Sequence, residues 1–225
     1  MNHMVLQARV KQAGAIAILR RQPIHSVLSV VDALMAGGIT AIEVTFDSEG
    51  AQELIQSLRR TFGQDLFIGA GTLMTPAQVR QAVEAGADVL LSPHLDVTLV
   101  ETAASLGAVM IPGIVTPTEI VQATRAGADT LKLFPAGPLG PAYLKDLLGP
   151  FHGTSFIPTG GITVDNAADF LRAGAIGVGM GSALVPKHEV EAGDWSSITR
   201  RASELMRRIR EVQSGVQQET AEKRR

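Results

Sequence analysis

The sequence predicts an α/β fold, a single (β/α)8 barrel of the TIM type, from three observations. Eight short apolar runs alternate along the 225 residues with segments of helical spacing. The runs are continuously apolar, which is typical of parallel strands buried on both faces. An Ala-Gly pair also recurs before every second run. Since no linker or break in composition divides the chain, we expect residues 1–225 to form one domain.

The predicted strands are the runs richest in Ala, Val, Ile and Leu. They are Ala15–Leu19, Ala41–Phe46, Leu66–Ala70, Asp88–Ser92, Val109–Val115, Thr130–Pro135, Ser155–Thr159 and Ile176–Met180. Helical spacing is clearest in the segments Ile24–Ala36, Pro76–Ala85, Thr118–Ala126 and Val164–Ala173. The last residues are polar and charged, so we expect residues 215–225 to form a frayed tail.

The recurring glycines support the division into βα units. They precede the second, fourth, sixth and eighth predicted strands and are Gly37, Gly86, Gly127 and Gly174. Glycine just past a helix end adopts the left-handed conformation that caps the helix. The main alternative, a doubly wound open sheet, usually has a glycine-rich turn after its first strand. Here that turn, 19–23, contains no glycine, which favours the barrel.

The composition excludes several classes of function. The chain has no cysteine, so disulfides, thiolate metal sites and thiol nucleophiles are excluded. A net charge of -2 and a pI near 6.2 give no electrostatic basis for binding nucleic acid or an anionic membrane. There is no signal-type start and no apolar stretch of about 18 residues, so we expect a cytoplasmic protein.

No metal site is expected. The five histidines are isolated and show neither HxxH nor HExxH spacing. Asp47 and Glu49 follow the second predicted strand, where a solvated loop explains them better than metal ligation. Neither a GxSxG elbow nor a Walker-type loop is present.

A lysine interrupts the sixth predicted strand. Alternation directs Leu131 and Leu133 toward the helices and Lys132 into the barrel. Lysine is rarely buried without a reason, and burial disfavours its ammonium form, so the free amine becomes a usable nucleophile. A structural lysine paired with a carboxylate, or one whose ammonium group reaches the barrel mouth, is the alternative.

A carboxylate interrupts the second predicted strand. The same alternation directs Glu43 and Thr45 inward. Glu43 is then either the ion-pair partner of Lys132 or a proton carrier, which Schiff-base chemistry needs for dehydration and for protonation of the enamine.

Glycine-rich segments end the last two predicted strands. Residues 158–162 read Pro-Thr-Gly-Gly-Ile, residues 177–182 read Gly-Val-Gly-Met-Gly-Ser, and a helix start is expected after each. Glycines let backbone N–H groups approach an anion, and these loops are the usual phosphate site of such barrels. Tight barrel packing is the alternative explanation. A third set, Gly69–Thr72, ends the third strand, and we expect it to admit substrate near the barrel mouth.

With these residues the sequence resembles the class I aldolases for 2-keto-3-deoxy-6-phosphogluconate (KDPG) and 4-hydroxy-2-oxoglutarate (KHG). Matching segments extend from Ala15 to Pro186. They include 42–45, 68–72, 92–94, 111–113, 131–135, 158–162 and 181–184. The resemblance implies reversible cleavage of KDPG to pyruvate and glyceraldehyde 3-phosphate through a lysine Schiff base, and of KHG to pyruvate and glyoxylate. It also implies a homotrimer that needs no metal or organic cofactor.

The resemblance assigns roles to individual residues. Lys132 is the Schiff-base lysine and Glu43 the general acid/base. The expected substrate contacts are Arg20, Thr72, Pro93, Phe134, Thr159, Gly160, Gly161, Gly181 and Ser182, of which the four last-named, from Gly160 on, hold the phosphate. Arg20 matches an arginine of many members and is expected to meet a substrate carboxylate or phosphate. Asp47 stands where some members carry an arginine, a departure that bears on carboxylate recognition and substrate preference.

Two other functions stay open at this point. One is a different barrel isomerase or synthase of phosphorylated sugars, with Glu43 as base and Lys132 as an electrostatic group. The other is a non-catalytic barrel that serves as a binding subunit or assembly scaffold. Loss of Lys132 or Glu43 would be the mark of such a scaffold, and both are present.

Overall fold

The computed structural model describes residues 2–222, with side chains described as far as residue 215. Helices and strands alternate along the described residues. In order they are α1 (His3–Ala13), β1 (Ala15–Leu19), α2 (Ile24–Ala36), β2 (Ala41–Thr45), α3 (Ala51–Phe62), β3 (Phe67–Gly71), α4 (Pro76–Glu84), β4 (Val89–Leu91), α5 (Val97–Ser105), β5 (Met110–Ile111), β6 (Gly113–Ile114), α6 (Pro117–Arg125), β7 (Thr130–Leu133), α7 (Gly140–Leu148), β8 (Ser155–Pro158), α8 (Ala167–Arg172), β9 (Val178–Met180), α9 (Lys187–Ala192) and α10 (Trp195–Glu222).

The strands form two parallel sheets. Six strands pair in the order β5-β4-β3-β2-β1-β9, and three in the order β6-β7-β8. A single parallel bridge, Thr159 to Gly179, joins the ends of β8 and β9. The α/β class and the parallel strands are therefore confirmed.

Every predicted strand is present, but the fifth, predicted as continuous over 109–115, is split at Pro112. Proline has no N–H to donate to a sheet ladder, so it interrupts the strand there. The Pro112 carbonyl still accepts a 2.9 Å hydrogen bond from the backbone N–H of Lys132. The chain therefore passes from the six-stranded sheet, which ends with β5, to the three-stranded sheet, which begins with β6, at Pro112.

The glycine caps occur as predicted at three of the four positions. Gly86, Gly127 and Gly174 have φ of 88°, 97° and 111°. At the first position the prediction was one residue early, because Gly38 has the positive φ, 92°, while Gly37 is right-handed. A Cβ on Gly37 would lie 2.4 Å from the Cβ of Ala202, so close packing of α2 on α10 explains the glycine there.

Helix α1 covers the amino-terminal end of the strands. Its Leu6 and Val10 are fully buried and belong to one apolar cluster with strand residues such as Ile16, Val89 and Ile111. A second, larger aliphatic cluster lies between the strands and the outer helices. Because one end of the strands is filled in this way, the other end, where the strands finish, is left for a site.

Helix α10 continues to Glu222, through most of the segment expected to fray. Its early turns pack on α2, where the Thr199 hydroxyl donates to the Ala33 carbonyl at 2.9 Å. Residues 223–225 lie outside the described residues, and fraying stays a prediction. Between residues 2 and 222, no helix combines the length and the apolar character needed to cross a membrane.

Candidate active site

Lys132 on β7 and Glu43 on β2 meet between the strands. The Lys132 Nζ lies 3.4 Å from the Glu43 Oε1, and the two residues are 2% and 1% exposed. Burying two charges is costly unless they are paired, and here each has the other as its partner. The structure therefore brings together the two charged residues that interrupt predicted apolar strands and were predicted to point inward.

Phe134 follows Lys132 at the end of β7 and lines the approach to its amine. The ring centroid lies 5.5 Å from the Lys132 Nζ, within cation–π range. The ring also packs against Gly160, which has a φ of 82° and where a Cβ would lie 2.9 Å from the ring. Both the conformation and the space at residue 160 therefore require glycine.

A cavity of about 480 Å³ opens at the carboxyl ends of the strands. Eight of the sequence-predicted site residues line it: Arg20, Lys132, Phe134, Thr159, Gly160, Gly161, Gly181 and Ser182. Its volume falls within the range of small-molecule sites. The amine of a buried lysine is thus accessible to a small molecule.

Three of the predicted site residues are not among those that line this cavity. Glu43 contacts the amine of Lys132, which does line the cavity. Thr72 accepts a 3.0 Å hydrogen bond from Arg20, which does line the cavity. Pro93 packs on β6, where a Cβ on Gly113 would lie 2.3 Å from its carbonyl carbon.

A network of charged groups borders the cavity at the ends of β1 and β2. Arg20 Nη1 lies 2.9 Å from Asp47 Oδ2, and Arg21 Nε lies 3.2 Å from the same oxygen. Burial raises the pKa of Asp47, but the Thr45 hydroxyl and the two guanidinium groups outweigh it and hold that pKa below its usual value. Arg20 is therefore fixed between an ionised carboxylate and Thr72.

Two residues of this network have left-handed backbone conformations that side chains disfavour. Arg21 has a φ of 49° and Thr72 a φ of 58°. A β-branched residue such as Thr72 is an outlier in this region, and such strain concentrates at functional sites. The Ser48 hydroxyl accepts a 2.8 Å hydrogen bond from the Arg21 N–H and helps to hold that conformation.

The glycine-rich segments line the cavity and carry backbone amides that make no hydrogen bond to the described residues. Among the hydrogen bonds of residues 2–222, none uses the amides of Gly161, Ser182 or Ala183 as donor. A helix start was expected after each segment, and α8 begins at 167 and α9 at 187, each after an intervening turn. In the first turn the Thr163 N–H donates to Asn166, and in the second the Leu184 N–H donates to the Gly181 carbonyl.

Sequence reasoning missed several lining residues, among them Arg21, Gln22 and Lys187. All three lie in loops or at a helix start, outside the strands in which charged residues stood out. The signal that could have found Arg21 is its place beside Arg20. Lys187 could have been found only from its position five residues after Ser182.

No group of three or more histidine, aspartate or glutamate side chains within the described part of the chain is arranged to hold a metal ion.

Comparison with known proteins identifies the family. The family model described as KDPG and KHG aldolase matches residues 6–201. This chain belongs to that family. It is 36% identical over 186 residues to a 2-dehydro-3-deoxy-phosphogluconate aldolase of Pseudomonas aeruginosa, covering 82% of this chain and 84% of the relative. The resemblance stated from the sequence is thereby confirmed.

Solved structures agree with this family assignment. A KDPG aldolase from Legionella pneumophila, with pyruvate captured as a covalent carbinolamine, superposes with a TM-score of 0.83 at 32% identity, over 88% of this chain and 97% of that one. A cube-shaped protein cage designed by fusing symmetric oligomeric domains gives a TM-score of 0.84 at 30% identity, over 94% and 77%. This member of the family therefore shares both sequence and fold with aldolases.

Proposed function

We propose that this chain cleaves KDPG reversibly to pyruvate and glyceraldehyde 3-phosphate through a Schiff base on Lys132, and that KHG is cleaved to pyruvate and glyoxylate by the same chemistry. The observation that carries the proposal is the buried pair of Lys132 and Glu43, 3.4 Å apart, with Lys132 on the wall of the cavity. Family membership supports the same reaction.

In the proposed reaction the Lys132 amine attacks the C2 carbonyl, and loss of water leaves a protonated imine. Removal of the proton from the C4 hydroxyl breaks the C3–C4 bond, releases the aldehyde and sends the electron pair into the imine, which becomes an enamine. Protonation at C3 and hydrolysis then release pyruvate and restore the amine. Glu43 carries these protons because its carboxylate lies beside the reacting nitrogen.

The two anionic groups of KDPG have separate candidate contacts. The free amides of Gly161 and Ser182 suit the phosphate, since backbone donors in glycine-rich turns bind anions without a basic cluster. Arg20 suits the carboxylate, because Asp47 and Thr72 hold its guanidinium in place at the border of the cavity. Gly160 and Gly181 shape the phosphate end.

The remaining expected contacts have supporting roles. Phe134 covers the reacting amine. The Thr159 hydroxyl donates to the Ile157 carbonyl at 3.3 Å and faces Gly179, where a Cβ would lie 2.4 Å from its oxygen. Thr72 positions Arg20. Pro93 packs on Gly113 of β6, which pairs with Lys132 on β7.

Trapping with borohydride tests the proposal. Incubation with pyruvate and borohydride reduces the imine to a stable amine, so mass spectrometry is expected to find one pyruvate adduct, on Lys132. Lys145, exposed on α7, provides the control, since Lys145→Met leaves the adduct unchanged while Lys132→Met abolishes both adduct and cleavage. An adduct on another lysine, or normal cleavage by Lys132→Met, contradicts the mechanism.

We further propose that the two sheets form one closed eight-stranded barrel and that three chains assemble into a homotrimer. The Pro112–Lys132 hydrogen bond and the Thr159–Gly179 bridge support closure. The likeness to a cage designed from symmetric oligomeric domains supports assembly. Sedimentation equilibrium is expected to give three times the chain mass of 23.7 kDa, and a monomer would contradict the trimer.

A further inference from the structure

The cavity has four basic side chains in its wall, and they differ in how firmly they are held. Lys132 is paired inside the protein with Glu43, and Arg20 and Arg21 share Asp47. The fourth is Lys187, whose side chain is 76% exposed.

Lys187 has a weak partner. The carboxylate of Glu191, one helical turn later on α9, lies 3.5 Å from its Nζ and is itself 57% exposed. Exposed pairs of this kind contribute little because water screens both charges. The Lys187 ammonium can therefore leave Glu191 at little cost and turn to a stronger anion in the cavity.

The backbone that carries Lys187 is fixed, in contrast to its side chain. Arg201 on α10 donates to the Leu184 carbonyl at 3.1 Å and to the Glu189 carboxylate at 2.9 Å. Val185, also on the cavity wall, is 1% exposed. Since Leu184 and Glu189, on either side of Lys187 in the chain, are both held by Arg201, the Lys187 side chain extends from an anchored segment on the same wall as the Ser182 and Ala183 amides.

We infer that Lys187 determines specificity for phosphorylated aldehydes, by pairing with the phosphate that the amides of Gly161, Ser182 and Ala183 hold. The amides supply directed donors but no net charge, whereas a phosphate monoester carries close to two negative charges. The exposed ammonium supplies the charge that the amides lack, and charge-assisted hydrogen bonds are stronger than neutral ones. This inference rests on the proposed function, because it takes glyceraldehyde 3-phosphate as the aldehyde.

The experiment measures aldol addition of pyruvate to glyceraldehyde 3-phosphate by Lys187→Met, which keeps the apolar stem and removes the charge. The KM for the phosphorylated aldehyde is expected to rise about tenfold, the effect of losing one hydrogen bond to a charged group. The KM for pyruvate and kcat stay within about twofold, because neither depends on a charge at the phosphate end. Lys187→Arg keeps the cation and is expected to stay near the original KM.

A second measurement uses inorganic phosphate as the probe. It is expected to inhibit competitively against glyceraldehyde 3-phosphate, and its inhibition constant is expected to rise in Lys187→Met in step with the KM. Lys145→Met, the same change at an exposed position outside the cavity, leaves both constants unchanged.

Each result bears on one claim. An unchanged KM for the phosphorylated aldehyde in Lys187→Met, or an equal change in the KM for pyruvate, overturns the inference while the aldolase proposal stands. If the original chain shows no addition and no trapped pyruvate on Lys132, the proposed function fails and the inference fails with it.

Discussion

The Glu43 carboxylate lies against the backbone of Gly71 on the neighbouring strand. A Cβ at residue 71 would lie 1.8 Å from the Glu43 Oε1, well inside any permitted contact. Gly71 has no left-handed backbone, so space alone requires a glycine there. The third strand thus leaves room for the carboxylate to lie beside Lys132.

Gly71→Ala is therefore expected to displace the carboxylate from Lys132. We expect kcat to fall about 100-fold, the lower end of what a positioned acid/base group contributes. Gly153→Ala is the control, because a Cβ there meets no atom within 4 Å and its φ is not left-handed. Steady-state kinetics on both variants, with circular dichroism to verify folding, measure the effect.

A double-mutant cycle tests the cause of that loss. If Gly71→Ala acts by moving Glu43, it costs nothing further in a Glu43→Gln background, since the carboxylate is already absent. Additive losses would mean that the new methyl group damages the site in another way.

The pairing of Arg20 with Asp47 makes a prediction about pH. The pKa of Asp47 is lowered from 3.8 in the folded protein, so its ionised carboxylate stabilises the fold. This contribution to the free energy of unfolding is complete above the ordinary pKa and is lost as pH falls through the lowered value. Asp47→Asn is expected to reduce the free energy of unfolding by about 1 kcal/mol at pH 7.

As pH falls from the ordinary pKa of 3.8 through the lowered value, the difference between the two proteins is expected to narrow, because Asp47 is protonated first in the unfolded chain and then in the folded one. Denaturant unfolding at pH 7 and at successively lower pH measures it. A difference that stays constant across this range would show that the charge of Asp47 is not what stabilises the network.

Local pattern was enough to predict the strands and the inward direction of Lys132 and Glu43. A strand buried on both faces has to be apolar, and alternation then decides which way a charged residue points. Their separation of 3.4 Å follows from how β2 and β7 face each other across the sheets, which no local pattern contains.

The features that sequence reasoning missed depend on tertiary contacts. The left-handed cap moved from Gly37 to Gly38 because Gly37 is used for contact with α10. Arg20 and Asp47 lie in two different loops, after β1 and after β2. Loops lack the periodic pattern that predicts strands and helices, so their pairing could not be predicted. Lys187 lines the cavity from a segment that Arg201 of α10 holds, which is a tertiary contact.

A substitution at Arg59 is expected to change stability and leave activity unchanged. On α3, away from the cavity, it donates to Asp88 at 2.5 Å and to the Gly63 carbonyl, while Asp88 also accepts the Ile68 N–H at 2.8 Å. Arg59→Met is expected to lower the free energy of unfolding by about 2 kcal/mol, because it leaves a largely buried carboxylate without its cation. Arg60→Met, exposed on the same helix, is the control.

Calorimetry and steady-state kinetics together decide this prediction. The melting temperature falls in Arg59→Met, while kcat at a temperature well below melting is unchanged. A fall in kcat without a fall in melting temperature would contradict the assignment of Arg59 to stability.

The Lys132–Glu43 pair is open to two descriptions, structural or catalytic, and three variants separate them. Lys132→Met leaves a carboxylate buried without its partner and is expected to lower the free energy of unfolding by about 3 kcal/mol. Adding Glu43→Gln removes that charge, so the double variant recovers most of the stability. Glu43→Gln alone keeps the Lys132 amine, so pyruvate and borohydride are still expected to give the Lys132 adduct, but more slowly.

If the pair is catalytic, the double variant regains stability without regaining activity. Neither Lys132→Met nor the double variant cleaves KDPG, however stable the double variant is, because no amine remains to form the imine. Glu43→Gln lowers kcat about 100-fold or more, since an amide carries no proton between the reacting groups. Denaturant unfolding and steady-state kinetics on the same three proteins give both readings. Full cleavage by Glu43→Gln would leave the ion pair with a structural role alone.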